Sequence, residues 1–242
     1  MNSVLSFFNV ARPWDVTWAH RVNSRAALER YCGSPDVMMI EGDISRSAET
    51  GQVLMAHPPR QESDLTFEGW VEEIARARKG AKLDFKDPSV VATCLEKLRE
   101  MDCRDLPVFL NADVLKGPGG PDPRFEPGEF ISACNRLYLE GILSIGWTTG
   151  HVEGGQYSGE MVDQMLKMRE QVRGFVTFPV RAYYARGSWT ELKRLIERPG
   201  DTLTLWNSEA VEEGIKVWLR EEVDPERVFY DLMDADGLPI RL

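Results

Sequence analysis

Gly80-Ala81-Lys82-Leu83-Asp84-Phe85-Lys86-Asp87-Pro88 contains a strand, its end and the start of a helix. Alternate residues of a strand point to opposite faces, so Lys82, Asp84 and Lys86 share one face and Leu83 and Phe85 the other. Asp87-Pro88 has the form of an N-cap followed by proline at the first helical position. The apolar face suits packing beneath an outer helix. The charged face then points inward, towards an enclosed mouth. The run Val37–Ile44 repeats the pattern, with Glu41 and Asp43 on one face and Ile40, Gly42 and Ile44 on the other.

Outward from this pair, short apolar and β-branched runs recur along the chain. They are Val16–His20, Val37–Ile44, Gly80–Lys86, Pro107–Val114, Ile142–Trp147, Val176–Ala182, Thr202–Asn207 and Val228–Met233, with helical patterns between them. Such alternation predicts parallel strands joined by crossover helices. Eight repeats in 242 residues predict an α/β fold closed as a (β/α)8 TIM barrel, which takes about 250 residues. An open doubly wound sheet is the alternative. The even spacing, and the lack of a Gly-rich dinucleotide fingerprint after the first strand, favour the barrel. The expected organisation is one barrel domain over residues 1–242, with residues 1–13 packed on it. No clear helical pattern follows the eighth strand, and the N-terminal segment is assigned to that gap. Ser188-Trp189-Thr190-Glu191 has capping-box spacing, with Leu192, Leu195 and Ile196 as the apolar stripe behind it. The loops Gly117–Gly128 and Gly150–Gly159 follow strands and so belong at the mouth.

A net charge of -10 argues against a general nucleic-acid binder, because phosphate backbones demand a positive surface. It leaves room for a small phosphate ligand, since a few basic groups can reverse the potential inside one pocket. Met1 to Val10 lacks the features of a signal peptide, and no run approaches a membrane span. Cys32, Cys94, Cys103 and Cys134 form no C-x-x-C pair. Reduced thiols in a cytoplasmic protein are expected.

Unpaired charges in a barrel mouth cost several kcal/mol each, so these must be matched or bound to an ion. A self-paired ionic network closing the barrel end is the plain reading. Glu41, Asp43 and Asp84 also suit one hard divalent cation, Mg²⁺ or Ca²⁺; zinc would prefer His and Cys. His20 and His57 close short extended runs beside these carboxylates. Lys82, Asn111, Lys116, Trp147, Arg181 and Trp206 stand near strand ends as candidate substrate contacts, with Asp113, Asp231 and Lys116 equally possible ion-pair partners. One cation, Lys86 and two imidazoles suit phosphodiester cleavage. The positive groups offset phosphoryl charge, and His20 and His57 share the acid and base roles in an order left open.

His20-Arg21-Val22-Asn23-Ser24, Met39-Ile40-Glu41-Gly42-Asp43, Met55-Ala56-His57-Pro58-Pro59, Lys82-Leu83-Asp84-Phe85-Lys86 and Asn111-Ala112-Asp113-Val114-Leu115-Lys116-Gly117-Pro118 closely resemble the menorin family. So do Gly146-Trp147-Thr148-Thr149, Thr177-Phe178-Pro179-Val180-Arg181 and Leu203-Thr204-Leu205-Trp206. The resemblance runs from about Trp14 to Asp231, and the short form resembles the cytosolic-type branch. That family in turn resembles the phospholipase-C-like phosphodiesterases, which include glycerophosphodiester phosphodiesterases and sphingomyelinase D. The likeness implies a barrel, one divalent cation on Glu41, Asp43 and Asp84, and acid-base work by His20 and His57, with Lys86 two residues beyond the third ligand. Val22 stands where the glycerophosphodiesterase signature has Gly, and its Glu-Asn-Thr element is missing. The function expected is therefore a metal-dependent phosphodiesterase for a small or lipid-derived phosphodiester. The alternative is a non-catalytic binding or adaptor protein, with a protein partner, that keeps the same pocket.

Overall fold

The computed structural model describes residues 2–240. Its strands are β1 (Trp18–Ala19), β2 (Met39–Arg46), β3 (Val53–Met55), β4 (Gly80–Phe85), β5 (Val108–Lys116), β6 (Ile142–Thr148), β7 (Val176–Arg181), β8 (Thr202–Trp206) and β9 (Val228–Asp231). All but β3 run parallel, in the order β1-β2-β4-β5-β6-β7-β8-β9. Each of the eight predicted runs overlaps one of these strands. The helices are α1 (Asn2–Phe8), α2 (Arg25–Cys32), α3 (Phe67–Arg76), α4 (Val91–Glu100), α5 (Pro127–Leu137), α6 (Gly159–Arg169), α7 (Ala182–Ala185), α8 (Trp189–Leu192) and α9 (Glu213–Glu222). The chain is a nearly closed (β/α)8 barrel.

Closure is made by side chains. Among the described residues β9 and β1 share no backbone ladder. Instead the Trp18 and Phe229 rings meet at 5.9 Å near the floor, and His20 Nδ1 lies 3.1 Å from Asp231 Oδ2 near the mouth.

The outward faces of the strands pack under the helices, as Leu83, Phe85, Trp70, Leu95 and Phe130 show in one continuous core. Gly42 makes this possible on β2. A Cβ there would stand 2.6 Å from Met55 Cε and 3.1 Å from the Trp70 ring. Inward faces carry a separate apolar cluster at the floor: Val4, Val16, Trp18, Met39, Phe109, Ile142 and Phe229.

β3 folds back antiparallel on β2, pairing Ile44 with Met55 and Arg46 with Val53. This hairpin brings His57 over the mouth. Four unpaired thiols accompany the fold, with Cys94 and Cys134 buried on helices.

Two local expectations are corrected. The segment around Ser188 is not one capped helix: α7 and α8 alternate with 3-10 turns. Ser188 Oγ makes no capping bond and accepts instead from the Tyr157 amide at 2.8 Å. The N-terminal helix does not fill the gap beside the last strand. Its Val4 sits in the floor cluster, and Phe8 lies under Gly80, where an added Cβ would be 3.2 Å from its ring. The outside of β9 is covered by Trp14, whose ring meets Tyr230 at 5.3 Å.

Candidate active site

Strand register sets the layout of the mouth. Glu41 pairs with Lys82 and Asp43 with Asp84 across β2 and β4, and Asp84 pairs with Asn111 on β5. Adjacent parallel strands thus place three carboxylates at neighbouring heights on the inward face. One oxygen from each of Glu41, Asp43 and Asp84 lies within 4.8 Å of the others.

Each carboxylate is oriented from behind. Asn23 clamps Asp43 twice, its Nδ2 donating to Oδ2 at 2.6 Å and its Oδ1 accepting the Asp43 amide at 2.8 Å. Asn111 Nδ2 donates to Asp84 Oδ1 at 2.9 Å, and Ser144 Oγ holds Asn111 Oδ1 at 2.6 Å. The Arg21 amide donates to Glu41 Oε2 at 2.5 Å. Arg21 achieves this with φ 58°, a left-handed conformation that costs a non-glycine residue about 1–2 kcal/mol.

Positive charge answers the cluster. Lys86 Nζ bonds Asp84 Oδ2 at 2.6 Å and stands 3.3 Å from Asp43 Oδ1. Burial alone would lower the Lys86 pKa, but Asp84, Asp43 and Asp113 outweigh it and the net shift is upward. Asp43 is shifted downward: burial pushes it up, and Lys86, the Asn23 hydrogen bond and His57 more than reverse that. Glu41 goes the other way, raised to about 7 chiefly by burial. An ammonium already spanning two of three convergent carboxylates shows that the cluster demands positive charge, and its all-oxygen donors fit a hard cation.

A second network lies beside it. Asp231 is fully buried, and its Oδ2 accepts from Lys82 Nζ at 2.9 Å and contacts His20 Nδ1 at 3.1 Å. Its Oδ1 has no hydrogen-bond partner among the described residues. Glu41 Oε2 stands 3.2 Å from the same His20 nitrogen. Burial disfavours the imidazolium, yet Glu41 and Asp231 outweigh that and lift the His20 pKa to about 9. Lys82 and His20 in turn overcome burial at Asp231 and hold it below the usual carboxylate range. With Nδ1 engaged, Nε2 is the nitrogen His20 has left for chemistry. His57 has the complementary arrangement. Its Nδ1 lies 2.6 Å from the Pro58 carbonyl, an acceptor that requires the proton on Nδ1, so neutral His57 keeps a lone pair on Nε2.

His20, Asp43, His57, Lys82, Asp84, Lys86, Asn111, Arg181 and Trp206 line one cavity of about 280 Å³, together with Arg21, Asp113 and Thr149. Glu41 sits directly behind it. Two of the expected substrate contacts are placed elsewhere. Trp147 takes the outward parity of β6, opposite to Ser144 and Gly146, and is buried against Tyr157 with ring centroids 5.0 Å apart. Lys116 follows a register shift between Asp113 and Leu115 and ends exposed, paired with Asp122 at 2.8 Å. The inward polar pattern Ser144-x-Gly146 was the sequence signal for the first. Asn23, by contrast, is central to the site although no role was assigned to it from sequence. Asp231, expected as a possible ion-pair partner, takes that role with Lys82 and, across 211 residues, with His20.

Comparison with known proteins bears on the fold and the family. A phosphodiesterase from Oleispira antarctica, solved in complex with the product sn-glycerol-3-phosphate, shares the fold with a TM-score of 0.57 at 12% identity, over 88% of this chain and 92% of its own. Human Protein FAM151B is 34% identical over 234 residues, which is 92% of this chain and 84% of that protein. No helix among the described residues is long and apolar enough to cross a membrane. Residues 13–236 match the menorin N-terminal domain, and the chain belongs to the menorin family.

Proposed function

We propose that this protein is a divalent-cation-dependent phosphodiesterase that cleaves a small or lipid-derived phosphodiester by two-histidine acid-base catalysis. The observation that carries the reading is the convergence of Glu41, Asp43 and Asp84 beside a cavity faced by both His20 and His57. The fold neighbour that acts on a phosphodiester supports the substrate class. Mg²⁺ or Ca²⁺ is the cation this donor set suits. When bound at the three carboxylates, such an ion would supply charge to offset phosphoryl oxygens.

The chain's own groups divide the remaining work. Lys86 and the Asn111 amide set the polar wall against which phosphoryl oxygens lie. His57 Nε2, with its lone pair, takes the proton from the attacking hydroxyl of water or of the substrate itself. His20, kept protonated by Glu41 and Asp231, delivers a proton from Nε2 to the leaving oxygen. Asp231 acts through His20 as a positioning residue. The free thiols accord with a reducing, cytoplasmic setting.

The test is a panel of glycerophosphodiesters, lysophospholipids and cyclic phosphodiesters with Mg²⁺ or Ca²⁺. Turnover should vanish in EDTA and return with the cation. His20→Gln and His57→Gln should each lower kcat by about 10²–10⁴-fold. Activity surviving loss of both histidines would overturn the mechanism. Tight binding of a panel member with no turnover would identify a binding protein that keeps this pocket.

A further inference from the structure

Arg181, the last residue of β7, is held on all sides before any ligand arrives. Its amide donates to Tyr157 Oη at 3.0 Å, and its Nη1 donates to the Gly150 carbonyl at 2.9 Å. Tyr184 Oη donates to that same carbonyl at 2.6 Å and accepts the Val152 amide at 3.0 Å. The guanidinium carbon lies 5.7 Å from the Tyr184 ring centre. The glycine-rich stretch after β6 is therefore a fixed brace for this side chain. The Nε atom of Arg181 is buried with no hydrogen-bond partner among the described residues.

The ion pairs around the cavity leave two lining cations over among the described residues, the exposed Arg21 and the braced Arg181. Lys86 is answered by Asp43 and Asp84, and Lys82 and His20 by Asp231 and Glu41. Among the described residues Arg181 makes no ion pair. Asp113, the remaining cavity acid, stands two strands away on β5 and is drawn towards Lys86.

Trp206 decides what this wall excludes. An aromatic ring at the edge of a phosphodiester site is the usual receptor for a quaternary ammonium headgroup. Here the ring already has a side chain against it from each neighbouring strand direction. His20 stacks on it from the β9–β1 side, with centroids 6.2 Å apart and planes 12° from parallel. Arg181 lies over it from the β7 side, 6.0 Å from the ring centre. A cationic headgroup brought here would meet the Arg181 guanidinium, a like charge, beside a ring that already has two side chains against it.

We propose that Arg181 is a preset receptor for a second anionic group on the substrate. The group joined through the phosphate on this side of the cavity then carries a carboxylate or a phosphate, not a trimethylammonium. The inference rests on the phosphodiesterase reading and deepens it by naming the substrate class. A guanidinium braced in advance loses little freedom on binding, which favours discrimination by charge.

Calorimetric titration of three phosphate monoesters, in saturating Mg²⁺ or Ca²⁺, tests this without turnover. The probes are 3-phosphoglycerate, glycerol 3-phosphate and phosphocholine. The wild type should bind 3-phosphoglycerate at least about tenfold more tightly than phosphocholine, the worth of one charge-assisted pair. Arg181→Gln should erase most of that ratio and leave phosphocholine affinity within about threefold, whereas Arg181→Lys should keep part of it. Phosphocholine bound as tightly as 3-phosphoglycerate, or a ratio unchanged in Arg181→Gln, overturns the inference alone. Failure of all three probes to bind overturns it together with the phosphodiesterase reading.

Discussion

The two ends of the barrel are built from the same strands and treat their inward faces in opposite ways. At the floor, Trp18, Met39, Phe109 and Phe229 interlock, and α1 seals them from water. Two residues further along the same strands, the inward positions are His20, Glu41, Asn111 and Asp231, all tied into hydrogen bonds. The floor gains from burying apolar surface. The mouth gives up that gain and must balance every charge it buries, with partners held at fixed distance. Stability is thus concentrated at one end and reactivity at the other, a few ångströms of strand apart.

The division predicts that each end can be damaged without the other. Phe109→Ala at the floor removes a fully buried ring that meets Trp18 at 5.4 Å and Phe229 at 5.5 Å. It should cost about 3–5 kcal/mol in denaturant unfolding and leave kcat per folded molecule unchanged. A floor variant with normal stability and lost turnover would contradict the division.

Asp231→Asn at the mouth should lower kcat about 10²-fold. It should also shift the His20 titration, followed by NMR, to lower pH than about 9, because one of the two carboxylates that raise it is gone. The alkaline limb of the rate profile should move in the same direction. A rate loss with the titration unmoved would leave Asp231 a merely structural role.

The smallest effect concerns pH and the cation together. His20 is raised from 6.5 to about 9, so its contribution to stability is complete below pH 6.5 and is lost as pH rises through 9. Glu41 is raised from 4.5 to about 7, so its buried carboxylate becomes a cost as pH rises across that interval. In EDTA the melting temperature should therefore fall by a few degrees between pH 5 and 9. Saturating Mg²⁺ should flatten the part below pH 7, since a cation on Glu41 repays its ionisation. Identical profiles with and without the ion would argue against a cation at Glu41.

Much of this was legible in the sequence because it is local. Period-two alternation in Gly80–Lys86 and Val37–Ile44 placed Lys82, Asp84, Lys86, Glu41 and Asp43 inward, where the structure has them. What escaped was non-local or irregular. The pairing of His20 with Asp231 exists only because the ring of strands closes. The register shift in β5 that carries Lys116 away leaves no mark in composition. Ser188 carried a genuine capping signal, but its hydroxyl is taken by the Tyr157 amide, a tertiary bond that outcompetes the local one. Trp147 was misplaced for a different reason: its place at a strand end suggested a ligand contact, while the strand's own parity already turned it outward.

The seam between β1 and β9 has a temporal consequence. Because His20 obtains the second of its two carboxylates from the final strand of the ring, a chain emerging from the ribosome lacks the full set until Asp231 has been made and docked. Under the proposed mechanism, the acid is complete only once the ring of strands has closed.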